Sequence, residues 1–170
     1  EWQADRELLV DVWESNVISS PSCQVWIPPV EAGDPIVEGV FVQATIGQEG
    51  SFSGAVPANF PVDLSQRLVD HCWLLARLFQ RLGYVGRCSF DLILIGDRLQ
   101  DSRMEFIECN GRCGGTSLPM TLMNRLFGDF AARDFEIHIF EQVVDLDCLS
   151  FVDLLSEFRD DLFDVRTGRG

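Results

Sequence analysis

One long amphipathic helix set among β-patterned segments most narrows what this chain can fold into. Leu64, Leu68, Cys72, Leu75, Phe79 and Leu82 recur at steps of three and four, so the sequence predicts a helix from about Leu64 to Leu82 with a single apolar stripe. Asp63 or Ser65 is placed to cap its start, and Gly83 to take the left-handed conformation at its end. Before it come strand patterns at Glu7–Trp13, at "QVWI" and at Pro35–Gly47; Gln48–Ser51 then supplies a hairpin turn into a return strand, "FSGAV". After it, Tyr84–Gly96 and Arg103–Asn110 read as an antiparallel pair.

The remaining segment continues the mixture. "SLPMTLMNRLFG" reads as a helix that Thr116 or Ser117 caps and Gly128 stops. "DFEIHIFEQVV" alternates as a strand. "LSFVDLLSEFRDDLF" predicts an amphipathic helix with Phe151, Leu154, Leu155, Phe158 and Leu162 on one side. Strands that pair locally, with helices between the hairpins, make an α+β fold: a mostly antiparallel sheet flanked by helices.

The chain has 170 residues, enough for one domain with its own core, and no linker or repeat divides it. It begins in mid-pattern without a Met and closes on "RTGRG", which reads as a piece of a longer protein. Its net charge of −14 argues against nucleic acid and anionic membranes as partners, because both need a basic footprint. Acid concentrates late: Asp129–Asp164 holds eleven Asp or Glu against two Arg, which reads as a solvated acidic face. All thirteen basic residues are arginine, and lysine, a usual point-charge partner for phosphate, does not occur. The six cysteines form no C-x-x-C pair and have no histidine cluster beside them, so they read as reduced core thiols of a cytoplasmic protein rather than a zinc site.

Chemistry concentrates in "FIECNGRCGGTS", Phe106–Ser117. Side chains alternate faces along a strand, so Glu108 and Asn110 share one face, as do Arg87, Ser89 and Asp91 on the preceding strand. With those faces paired, Asp91, Glu108 and Asn110 converge as a set of hard oxygen donors, suited to Mg²⁺ or Mn²⁺. Arg112 follows as a planar multi-donor cation for anionic oxygens, and the helix opened by "GGTS" turns its N-terminus toward the same place.

These residues carry a resemblance. "GYVGRCSFDLIL" followed by "MEFIECNGRCGGTSLPM" resembles the C-terminal lobe of the ATP-grasp fold, from about Trp13 to Phe163, and the wider pattern is most similar to the pheganomycin-type peptide-ligase branch. The resemblance implies an ATP-dependent carboxylate–amine ligase acting through an acyl phosphate. It assigns metal binding to Asp91, Glu108 and Asn110, and nucleotide contacts to Glu108, Asn110, Thr116 and Ser117. Contact with phosphate or acyl phosphate falls to Arg112, with Arg87 as a substitute for the arginine that many members carry at the position of Ser89. The implied partners are ATP, a carboxylate and an amine substrate, and a lysine-bearing N-terminal lobe outside this chain, without which the chain is not expected to act as a ligase. The oligomeric state stays open, a homodimer included. A degenerate domain serving as a non-catalytic interaction module stays open as the alternative, as does an unrelated α+β binding protein with a fortuitous acidic cluster.

Overall fold

The structure, a computed structural model, describes residues 10–47, 51–139 and 149–169. Within them seven strands form one antiparallel sheet. They are β1 (Val17–Ser19), β2 (Pro21–Ile27), β3 (Ile36–Ile46), β4 (Ser51–Pro57), β5 (Gly86–Ile95), β6 (Arg103–Asn110) and β7 (Ile137–His138). The order runs β6–β5–β2–β3–β4–β7, with β1 beside the far end of β5 on the edge that β2 also uses. The expected α+β class is what the structure shows, and β3 is internal to the sheet, as its two apolar faces suggest.

Helix α1 (Val62–Arg81) covers one face. Its buried residues Leu64, Leu68, Cys72, Ala76 and Gln80 fall at every fourth position, and the first four pack with Cys23, Val25 and Ile27 of β2 and Cys88, Phe90 and Leu92 of β5. Phe79 meets Phe90 edge-on at 5.5 Å between ring centres. Leu82, assigned to this stripe from spacing, is instead largely exposed, because the helix has ended by then. Gly83 supplies the stop, at φ +90°, with Tyr84 N–H bonded to Phe79 O. Neither expected cap is used. Pro61 holds the N-cap position, and the Ser65 hydroxyl donates back to Phe60 O at 3.3 Å.

The opposite face divides in two. Over β3 and β4, helix α2 (Ser117–Phe127) buries Met120 against Phe41 and Ala55, and the turn after it packs the partly buried Phe130 on the same cluster. Gly39 makes this close approach achievable, since a Cβ there would stand 2.6 Å from the Phe130 ring. Over β2, β5 and β6 the same face is polar. Gly128, at φ +84°, ends α2 where the sequence placed its stop.

Three expectations differ from the structure. Of the Glu7–Trp13 strand, the described residues 10–13 belong to no strand, and Trp13 is 86% exposed. Of the Asp134–Val144 strand, the described residues 134–139 pair only at Ile137–His138, as β7; residues 140–144 lie outside the described residues, as do the hairpin-turn residues 48–50. The final helix, α3 (Phe151–Glu157), stops after seven residues. Its start is a full capping box between Ser150 and Asp153, but Phe151 and Leu155 stay exposed, so no apolar face extends it to Phe163.

Candidate functional site

Register decides the site. Across β5 and β6, Asp91 stands directly opposite Glu108, and Ser89 opposite Asn110; across β5 and β2, Ser22 stands opposite Asp91. Two carboxylates as cross-strand partners repel each other. Asn110 bridges them: its Nδ2 donates to Asp91 Oδ2 at 3.0 Å and to Glu108 Oε1 at 2.8 Å. Burial, above all, and the adjacent Glu108 push the Asp91 carboxyl above its ordinary range, while hydrogen bonds from Ser22 and Gln43 pull it back.

An open pocket of about 340 Å³ lies over this cluster, and Arg112, Gly115, Thr116 and Phe52 line its other sides. The Arg112 guanidinium donates from Nη2 to Asn110 Oδ1 at 3.3 Å and forms no ion pair among the described residues. Its charge is therefore available to an anion in the pocket. The Gly114–Thr116 turn delivers the chain into α2. The N–H groups of Gly115 and Thr116 have no partner among the described residues, whereas Gly114 N–H is taken by Ser117 Oγ at 3.0 Å. Gly115 is required where it is: a Cβ would sit 2.8 Å from the Phe52 ring that walls the pocket.

The sequence-predicted residues thus separate. Asp91, Glu108, Asn110, Arg112 and Thr116 come together at the pocket. Arg87 does not reach it. Its Nε and Nη2 are held by the Glu38 carboxylate at 2.7 Å each, and Nη1 donates to Thr121 Oγ1 at 3.0 Å. The guanidinium is used to join β3, β5 and α2, so Arg87 cannot take the place of an arginine at position 89 without breaking those bonds. Ser117 is fully buried and donates to Gln24 Oε1 at 2.7 Å, which withdraws it from ligand contact. Asn110 presents its amide nitrogen, not its oxygen, to the carboxylates; an amide turned over would present the oxygen.

Ser22, Gln24 and Gln43 complete the surroundings of Asp91 and were not anticipated. A signal for the first two was present: Ser22 and Gln24 alternate with Cys23 and Val25, so one strand carries a polar and an apolar face. Gln43 gives no such signal. It lies on β3, one strand beyond β2, and only the assembled sheet brings it near Asp91.

The donor set can be tested against the implied metal. Among the described residues no group of three or more His, Cys, Asp and Glu could hold an ion. Two carboxylates with an amide beside them nonetheless fit a hard divalent cation that keeps several waters and shares phosphate oxygens. They do not fit a zinc or other thiolate- and imidazole-bound metal.

No protein-family profile matches the chain. No curated protein matches it. Solved structures do. The biotin carboxylase domain of a thermophilic 2-oxoglutarate carboxylase, in its bicarbonate-bound structure, matches with a TM-score of 0.50 and 16% identity over 65% of this chain and 23% of that one. The N5-carboxyaminoimidazole ribonucleotide synthetase of Thermus thermophilus matches at 0.47 and 15%, over 62% and 26%. An Archaeoglobus fulgidus protein described as of the ATP-grasp superfamily matches at 0.45 and 18%, over 69% and 33%. At these identities the likeness speaks to the fold alone. The match spans about a quarter of the length of the first of these structures.

Proposed function

We propose that this chain is the metal- and phosphate-facing C-terminal lobe of an ATP-grasp carboxylate–amine ligase. One observation carries the reading: Asp91 and Glu108 are direct cross-strand partners beneath a pocket also lined by Arg112, an arginine with no ion pair among the described residues. Two facing carboxylates cost stability in a bare sheet and are accounted for by a cation between them. A resident Mg²⁺ or Mn²⁺ would be held by Asp91, Glu108 and a turned Asn110, and when bound it supplies charge neutralisation for the nucleotide's phosphates. Arg112 then binds and orients the transferring phosphoryl group, and the N–H groups of Gly115 and Thr116 meet oxygens of the same anion. Arg87 and Ser117 enter as supports, the first for α2 and the second for the turn.

ATP phosphorylates a carboxylate in this scheme, an amine attacks the acyl phosphate, and inorganic phosphate leaves. The finer reading, peptide-bond formation of the pheganomycin type, is supported by the run of motifs in the sequence. A second lobe bearing the cationic groups that this chain lacks is part of the proposal. The net charge of −14 and the absence of lysine support it, since a nucleotide's phosphates need more positive charge than Arg112 and one cation provide.

Calorimetry with Mg²⁺ and ATP on the 170-residue chain tests the reading. Binding is expected to be weak, ~1 mM, because one wall of a cleft gives little desolvation. It should vanish in Glu108→Gln with the fold retained. Binding of equal strength in Glu108→Gln, or in metal-free buffer, would remove the site from the assignment.

A further inference from the structure

Beneath the pocket runs a hydrogen-bond chain with a fixed direction. Ser117 Oγ accepts Gly114 N–H at 3.0 Å and donates its proton to Gln24 Oε1 at 2.7 Å. Gln24 Nε2 donates to Ser22 Oγ at 3.1 Å, and Ser22 Oγ donates its proton to Asp91 Oδ1 at 2.6 Å. A hydroxyl has a single proton, and an amide has its acceptor on one side and its donors on the other. If the Gln24 amide were turned over, Oε1 would face Ser22 and draw that proton away from Asp91. The chain therefore has one arrangement in which Asp91 Oδ1 is solvated by protein.

Gln24 and Ser117 are 0% exposed and Ser22 is 3% exposed. An amide so placed adds no packing that Met or Leu would not give, and it costs free energy unless every polar atom is matched. Each is matched here, and no buried side-chain N or O among the described residues lacks a partner. The effect falls on Asp91. With Oδ1 occupied by Ser22, Oδ2 is the oxygen turned toward Glu108 and Asn110.

We infer that Gln24 is a positioning residue for the Asp91–Glu108 cation site: through Ser22 it turns one oxygen of Asp91 away from the cation and aims the other at it, and through Ser117 it sets the Gly114 turn at a fixed distance from that carboxylate. This inference rests on the reading of the pocket as a cation and phosphate site. The ligand class is a hard divalent cation held through one oxygen of Asp91. Neither the sheet nor the turn alone fixes that aim, because it is this chain of side chains that ties the Gly114 turn to the Asp91 carboxylate.

The test uses Mn²⁺ alone, with free Mn²⁺ followed by electron paramagnetic resonance, on the wild-type chain, Gln24→Met, Ser22→Ala and the double variant. Gln24→Met should lower affinity about 10–100-fold, as loss of an outer partner of a metal ligand does. Ser22→Ala should do the same, and the double variant should be no weaker than either single one, since both act through one proton. Gln80→Met is the control. It removes another buried amide, which donates to Pro28 O and Gly33 O at the end of α1, and should lower stability with Mn²⁺ affinity unchanged. Ser117→Ala, three hydrogen bonds from Asp91, serves if Gln24→Met does not fold, and should weaken Mn²⁺ several-fold. Wild-type affinity in Gln24→Met overturns the inference. If the wild-type chain binds no Mn²⁺, the cation-site reading fails, and the Asp91 carboxyl ¹³C shift and Gly114 amide exchange decide the relay: altered in Gln24→Met they uphold it, unaltered they overturn it.

Discussion

Strands β2 and β5 show two different chemistries on their two faces. Toward α1 they present Cys23, Val25, Ile27, Cys88, Phe90 and Leu92, all buried and apolar. On the other face, besides Trp26, stand Ser22, Gln24, Arg87, Ser89 and Asp91, each held by a directional bond or lining the pocket. The first face is where stability arises, through removal of apolar surface from water. The second face gives up that gain. Facing carboxylates, a buried amide and a half-buried ion pair return little net stability once desolvation is counted. What they give is geometry. A single sheet can therefore be firm because of one face and chemically specific because of the other.

The largest effects should fall on the apolar face. Leu68→Ala, on a side chain with no exposed surface, should cost about 2–5 kcal/mol in urea unfolding. Mn²⁺ affinity of the folded fraction should not change; a parallel loss of affinity would show that the two faces are not separable. Next comes the apolar half of the pocket-side face. Gly39→Ala places a methyl 2.6 Å from the Phe130 ring and should cost about 1–3 kcal/mol by forcing that ring aside. An unchanged midpoint would mean that Phe130 moves without resistance.

The polar face should answer in the opposite sense. Without metal, Glu108→Gln relieves a like-charge pair and should raise stability by about 0.2–1 kcal/mol, while cation binding is lost. A destabilised variant would mean that the carboxylate contributes to the fold and not to a ligand.

The smallest effects concern thiols. Burial pushes the Cys88 thiol up to about 12 and raises that of the less enclosed Cys109, while the Cys23 thiol is raised first by its hydrogen bond with Cys72 and then by burial. Alkylation near pH 8 should thus modify Cys113 and Cys109, both exposed, before Cys23, Cys72 and Cys88, which react only on unfolding. Fast labelling of Cys88 would show that the α1 face opens readily. Under denaturing, non-reducing conditions six thiols are expected, Cys148 included, which lies outside the described residues.

Much of this contrast was legible in the residues. Alternation alone put Glu108 and Asn110 on one face and Asp91 on the matching face of its neighbour, because strand side chains repeat every two residues whatever the context. The stripe of α1 and its glycine stop followed from the helical period in the same way. The partner of Arg87 was not legible for a related reason: alternation gives the face but not the partner, and Glu38 lies 49 residues away in sequence. The cap of α1 was misplaced because Asp63 and Ser65 were judged by residue type, whereas Pro61 fixes where the helix begins.

By itself, then, the sequence determined period and punctuation: which stretches are strands or helices, which face of each is polar, and where glycine ends them. These are local properties, set by backbone sterics and by side chains a few residues apart. Only the tertiary structure decided register and company. Opposing Asp91 to Glu108, joining Gln24 to Ser117 across 93 residues and committing Arg87 to Glu38 depend on how β2, β3, β5 and α2 assemble. A one-residue slip in any pairing would leave the composition of each strand intact and disperse the site, because it would turn that strand's polar set to the other face.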